Sequence, residues 1–458
     1  MITRRQFLGT TTTAATALAA GCATDGKPKA TSRRALDDRH FIVQSVERAT
    51  VRIPFRGTPR RSMDRELPHW RYSEILSVTL ASGVKGHGET MLYYTWGVTK
   101  DEDVRRAIGR NAREVMWDDS LGAGLQMALF DAVGKTQEEP VHALLGEKIH
   151  SKTPLSWWNI DTSAADMASE CKLALENGYM SYKTKGRPWF DIWEQLKQST
   201  AVVPDDFKID MDFNETLLTA DRGMKILKDL EQYPQVDIYE SPIPQTDLEG
   251  NRKIREATRV NLAMHFGRPE PEIAIGEGVC DGFVIGGGAS RVLDQGRFCE
   301  KHGMPFWLQL VGTGITAAWS LHFGGVSRNA IWPAVNCHQL YQRDLLADPI
   351  VVRNGFSAVP DKPGIGHEID WDAVNRFKVR KPDSRPEPKR LLVTTWPSGR
   401  KMYIASNGEV NFLLTRANQG LIPYYVPGAH TELVPNDGSE MWSRLHEAAK
   451  DQPIFQGL

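Results

Sequence analysis

The 458-residue sequence carries almost no net charge: 56 Lys and Arg stand against 57 Asp and Glu. It has no basic stripe. Phosphate backbones are bound by clustered Lys and Arg, so nucleic acid is excluded as a partner class. Cysteine is scarce, and Cys171, Cys280, Cys299 and Cys337 form no C-x-x-C pair. Their helix-like and strand-like surroundings lead us to expect buried free thiols. Long apolar runs are missing as well. The N-terminal Thr/Ala stretch is too short and too polar to span a bilayer. What remains is an ordinary globular composition, long enough for two or three domains and a large core.

Residues 1–22, MITRRQFLGTTTTAATALAAGC, resemble a twin-arginine export signal in the run Thr3-Arg4-Arg5-Gln6-Phe7-Leu8. The LAAGC ending also resembles a lipoprotein site with Cys22 as the acylated residue. The usual leucine, three positions before the cysteine, is replaced by Ala19, with Leu18 one further back. The expectation is export to the periplasm, either free or membrane-anchored through lipidated Cys22. The twin-arginine route carries folded proteins, which suits an enzyme that takes its metal in the cytoplasm.

Residues 23–40 are polar and read as a linker. Two β-rich runs follow, joined by the basic loop RGTPRRSMDRELPHW, and then helical patterns that end within residues 121–146. Together these make an α+β unit over residues 41–150. From residue 151 to 345 short strands alternate with helices: PLSWWNI, MSYKTKG, FKIDMDF, VDIYESP, VNLAMHF, DGFVIGG, PFWLQLV and NAIWPAV. Eight strands in that rhythm point to an α/β fold with a parallel (β/α)8 barrel of the TIM type; an open doubly wound sheet is the alternative. Residues 381–458 read as loops and short strands with a final helix, WSRLHEAAK. No function is read from that tail.

Catalytic residues of such barrels sit at the C-terminal ends of strands. The last polar residues of successive strands are Lys183 and Lys185, Asp212 and Asn214, Glu240, and His265. Lys183 and Lys185 share one strand face, because side chains alternate. Two ammonium groups in a partly dry site repel each other, so at least one becomes a better base. Asp212 and Glu240 end neighbouring strands, and converging carboxylates call for a hard cation such as magnesium. Singly each has a plainer reading: solvated lysines, helix caps at Asp212 and Asn214, a turn at Glu240.

The order K-x-K, D-x-N, Glu before a proline turn resembles the enolase superfamily, on its mandelate racemase and muconate lactonizing enzyme side. The resemblance runs from about residue 42 to 372. It includes GHGET (86–90), MALFDAVGK…PVHALLG, and the segment 345–370 with its P-G-x-G ending. It implies an N-terminal α+β capping domain, residues 346–380 as a return to that cap, and a homo-oligomer. It also implies a small-molecule carboxylate substrate and a divalent metal that stabilises the enediolate formed by α-proton abstraction. Asp212 and Glu240 would be metal ligands, Lys185 the base and Lys183 its neighbour at the carboxylate.

Three strand ends depart from the family. His265 stands where the third acidic ligand is expected, Gly286 where an opposing Lys or Asp is usual, and Gln309 where a dyad histidine is common. Nitrogen in place of a carboxylate favours zinc, manganese or iron over magnesium; in the other reading no metal binds tightly, and His265 is a core or acid–base histidine. With Lys185 as the one base, a lyase (dehydratase) of a hydroxy or sugar acid is expected. The alternatives are a racemase, epimerase or cycloisomerase, or a non-catalytic descendant that binds carbohydrate or acts as a scaffold. Arg56, Arg60 and Arg61 lie in the basic loop that would close over substrate. His302, His322 and His338 have no evident partner, and Trp157 and Trp158 are candidates for the barrel mouth.

Overall fold

The protein is described by a computed structural model over residues 36–94 and 97–457. The export signal and Cys22 lie outside the described residues. No helix among those described is long and apolar enough to cross a membrane.

The first strands among the described residues form an antiparallel sheet of β1 (Val43–Arg52), β2 (Tyr72–Leu80) and β3 (Lys85–Met91). The apolar helix Ala123–Gln137 packs across β3 and β2. The GHGET glycines explain how close it comes. A Cβ on Gly86 would strike the Ala128 carbonyl, and one on Gly88 the Gly124 carbonyl. Two residues apart on one strand, both glycines face the helix backbone. The segment expected as a basic loop is instead the helix Gly57–Glu66. Pro59 falls in its first turn, where proline is tolerated, and Arg60 pairs with Asp64 one turn on, so local chemistry favours the helix.

Eight parallel strands follow: β4 (Lys152–Trp158), β5 (Ser181–Lys185), β6 (Lys208–Asp212), β7 (Val236–Glu240), β8 (Asn261–His265), β9 (Gly282–Ile285), β10 (Phe306–Leu308) and β11 (Ala334–Val335). Their order is β10-β9-β8-β7-β6-β5-β4-β11, and a parallel bridge between Gln309 and Val335 joins the two ends. The result is a nearly closed TIM-type barrel, not an open sheet. Each expected strand run overlaps one of these strands. Side-chain caps at Ser163, Asp191, Thr219, Asp247 and Thr313 start the helices between them.

After the barrel, β12 (Phe356–Ala358) pairs antiparallel with β4. The backbone then returns to the first unit, where Asp131 accepts N–H groups from Ile365 and His87, each at 2.8 Å. The tail forms a second sheet of β13 (Leu391–Thr395), β14 (Lys401–Ala405), β15 (His430–Val434) and β16 (Ile454–Gln456), in the order β15-β13-β14-β16. Two helices accompany it, Phe412–Asn418 and Glu440–Ala448.

Candidate active site

Parallel register brings the polar strand ends into a row. Lys185 pairs with Asp212, Asp212 with Glu240, and Glu240 with Ala263, two residues before His265. The side chains alternate in charge around the barrel mouth. Lys185 Nζ contacts Asp212 Oδ2 and lies 3.2 Å from Asn214 Oδ1. Lys183 Nζ contacts Glu240 Oε2, stands 3.9 Å from Asp212 Oδ2, and donates to Gln309 Oε1 at 3.3 Å. His265 Nε2 is 3.0 Å from Glu240 Oε1. Its side chain is 44% exposed against 1% for Glu240, so His265 faces open space and not the core. Gln245 holds its backbone, accepting the His265 N–H at 3.1 Å.

The two lysines separate electrostatically. Burial works to lower both. At Lys183 the charges of Glu240 and Asp212 outweigh it and hold the ammonium above its ordinary range. At Lys185 burial prevails, helped by the Lys183 charge, and its pKa falls below that of an ordinary lysine. Glu240 runs the other way: burial would raise it, but Lys183 and His265 hold it well below the carboxylate range. Asp210, one turn of the pleat below Asp212, is pushed well up by burial and by the Asp237 charge.

Above this row lies a cavity of about 510 Å³. Lys185, Arg187, Asp212, Asn214, His265 and Gln309 make its floor, while Lys183 is sealed beneath. The walls are aromatic and aliphatic. Trp70 stacks on Trp158 at 5.5 Å and meets Tyr94 edge-on at 4.9 Å. His69 also lines the cavity, and burial lowers its pKa to about 3, so the ring is neutral there.

Several expected residues are elsewhere. Arg60 pairs with Asp64 and Arg61 with Asp166 on the outer surface, and neither lines the cavity. Arg56 grips buried Glu170 through both guanidinium nitrogens, at 3.1 and 2.6 Å. Trp157 donates to the same Glu170 at 2.9 Å, so of the two tryptophans only Trp158 reaches the cavity. His302, His322 and His338 lie outside it.

Arg187 was missed in the sequence. It continues the alternation of Lys183 and Lys185 and donates to Phe213 O at 2.9 Å and Asn214 Oδ1 at 2.5 Å. Reading the strand parity one step further would have found it. Nothing in the sequence marks the other omission. Val410, Asn411 and Leu414, from the tail, complete the cavity wall.

A divalent cation is the group this site would hold. Among the described residues no three His, Cys, Asp or Glu side chains stand together as a ready ligand set. Two ammonium groups lie between the carboxylates instead. Both Glu240 oxygens are nonetheless buried without an aligned hydrogen bond, which is the kind of group a cation satisfies. Asp212, Glu240 and His265 thus have the chemistry of divalent-ion ligands, while Lys183 and Lys185 occupy the space between the acids.

A charged row at the mouth of a nearly closed β/α barrel, beside an N-terminal α+β unit, defines the class: a TIM-type barrel protein with its site at the strand ends. Residues 166–373 match the family model "Enolase C-terminal domain-like". The chain is 23% identical over 271 residues to arabinonate dehydratase of Saccharolobus solfataricus, covering 56% of this chain and 72% of that protein. It is 25% identical to D-galactarolactone cycloisomerase of Agrobacterium fabrum, covering 57% and 74%. In fold it is similar to 2-chloromuconate cycloisomerase from Rhodococcus opacus, with a TM-score of 0.60, 18% identity, and coverage of 74% of this chain and 100% of that one. The likeness to the family model thus covers residues 166–373, and the likeness in fold covers 74% of the chain.

Proposed function

We propose that the protein removes the α-proton of a small carboxylate with Lys185 as the base, and that it is a lyase acting on a hydroxy acid, sugar acids included. The observation that carries this reading is the split between the lysines. Lys185 borders the cavity with a lowered pKa, while Lys183 is buried and held charged. An amine with a weakened hold on its proton, bordering the cavity beside a fixed positive charge, suits proton abstraction next to a carboxylate.

In the proposed reaction Lys185 Nζ takes the α-proton and the electron pair forms a carbon–carbon double bond. The β-hydroxyl leaves with the proton that Lys185 returns to it, so water is the second product. Lys183 supplies positive charge beneath the reacting carboxylate, and Gln309 fixes its ammonium at 3.3 Å. Arg187, tied to Asn214, keeps the Asn214 carboxamide aimed at Lys185. A divalent cation held by Asp212, Glu240 and His265 would add positive charge against the carboxylate as negative charge develops. Racemisation calls for a second group on the opposite face, and Gly286, just past β9, offers no side chain there.

Solvent-deuterium exchange at the α-carbon, followed by NMR across a panel of hydroxy acids, tests the reading. Exchange with at least one acid, abolished in Lys185→Ala, is the expected result. A non-catalytic binder is the second reading, favoured by the engagement of both carboxylates by lysines; binding without exchange across the panel would establish it. We further infer export through residues 1–22, tested by whether a lysine pair at Arg4 and Arg5 retains the chain in the cytoplasm.

A further inference from the structure

The tail is joined to the site by more than surface contact. Tyr425 Oη donates to Gly186 O at 2.9 Å and meets Thr216 Oγ1 at 2.6 Å, so it clasps the backbone just past Lys185 and Asp212. Asn418 Nδ2 donates to Asn214 O at 3.2 Å. Buried Arg390 donates to the carbonyls of Arg65 and Glu66, both at 2.8 Å. Trp189 and Phe190, in the segment that follows β5, pack in one apolar cluster with Leu392, Phe412 and Leu413. The cavity face of the tail is thus a fixed wall. It lies outside the family match, which ends at residue 373.

That wall is apolar where it meets the cavity. Val410 and Leu414 are partly buried and face the same space as Trp70, Trp158 and Ile160, with Asn411 as the tail's one polar group. Substrate hydroxyls pressed against that wall, away from the polar floor, would find Asn411 alone as a tail partner, at a cost for each left unpaired. A chain or ring of carbon would bury favourably.

We propose that residues 410–414 are the substrate-selecting wall of the site, and that they select a carboxylate with an apolar or aromatic body. This rests on the proton-abstraction reading only for what happens after binding. The test is calorimetric titration of the purified full chain with 2-hydroxy-4-phenylbutanoate and with D-gluconate, and α-proton exchange measured on both. The phenyl acid should bind at least about tenfold more tightly. Leu414→Gln should erase that preference, Asn411→Ala should keep it, and both should retain the wild-type circular dichroism spectrum. Should Leu414→Gln misfold, Val410→Thr takes its place with the same expected loss. Tighter binding of gluconate, no binding of either acid, or an unchanged preference in the wall variants overturns the proposal. Exchange of gluconate alone sinks the wall and leaves the base reading standing. Wall-dependent binding of the phenyl acid without exchange does the reverse.

Discussion

Single side chains carry the proposed chemistry. Lys185→Ala should slow α-proton exchange by about a thousandfold, with thermal midpoint and circular dichroism unchanged. Lys185→Arg should not rescue it, because guanidinium does not give up its proton near neutral pH. An exchange rate equal to wild type in either variant would move the base elsewhere. The histidine at the β8 end is the test of the proposed metal site. Protein purified without chelator should carry about one divalent ion per chain by elemental mass spectrometry, and His265→Ala should lose it. His265→Asp should shift preference toward magnesium, since a third carboxylate restores a hard oxygen set. A metal content unaffected by His265→Ala would remove His265 from the ligands.

At the level of elements, each joint depends on a buried polar group. The acid of GHGET, Glu89, lies at the start of the helix Gly314–Val326. It accepts the Thr313 N–H at 2.5 Å, the Thr313 hydroxyl at 2.8 Å, the Thr316 N–H at 3.1 Å and the Thr316 hydroxyl at 2.6 Å. A carboxylate at a helix N-terminus satisfies N–H groups that would otherwise be orphaned. Glu89→Ala should therefore cost about 3 kcal/mol in urea unfolding, from donors left buried and unpaired. A loss below about 1 kcal/mol would mean that water replaces the carboxylate. The strands, and most helix starts, could be read from the sequence because they follow local alternation and capping chemistry. The helix over residues 57–66 was harder, since its Arg and Pro content reads as a loop until its pairs with Asp64 and Asp166 are seen.

Across the whole molecule the first unit and the barrel share one apolar core, while the tail packs mostly in two smaller clusters, one of them with Trp189 and Phe190. Buried histidines tie stability to pH. His322 accepts the His142 N–H at 3.1 Å, and burial pushes its pKa down to about 3. The unfolded ring takes up a proton near pH 6.5, while the folded one refuses it until far lower. Its stabilisation is complete above the unfolded value and is lost as pH falls toward the folded one. His322→Asn, which keeps an acceptor but cannot titrate, should flatten the fall in calorimetric midpoint between pH 7 and 5. Identical slopes for variant and wild type would show that His322 does not contribute.

The sequence by itself determined the barrel and the charged row at its mouth. Both follow from spacing along one strand face and from one β/α unit to the next, which is local information. Like-charge repulsion across a single strand marked one of Lys183 and Lys185 as the better base, and only the family resemblance singled out Lys185. Only the tertiary structure decided that Lys183 is sealed beneath the cavity and paired with Glu240, because charge pairing between strands depends on where side chains settle. The tail belongs wholly to that second kind. Val410, Asn411 and Leu414 carry no motif, and they face the site because Tyr425 and Arg390 fasten distant backbone to the barrel and to the helix over residues 57–66.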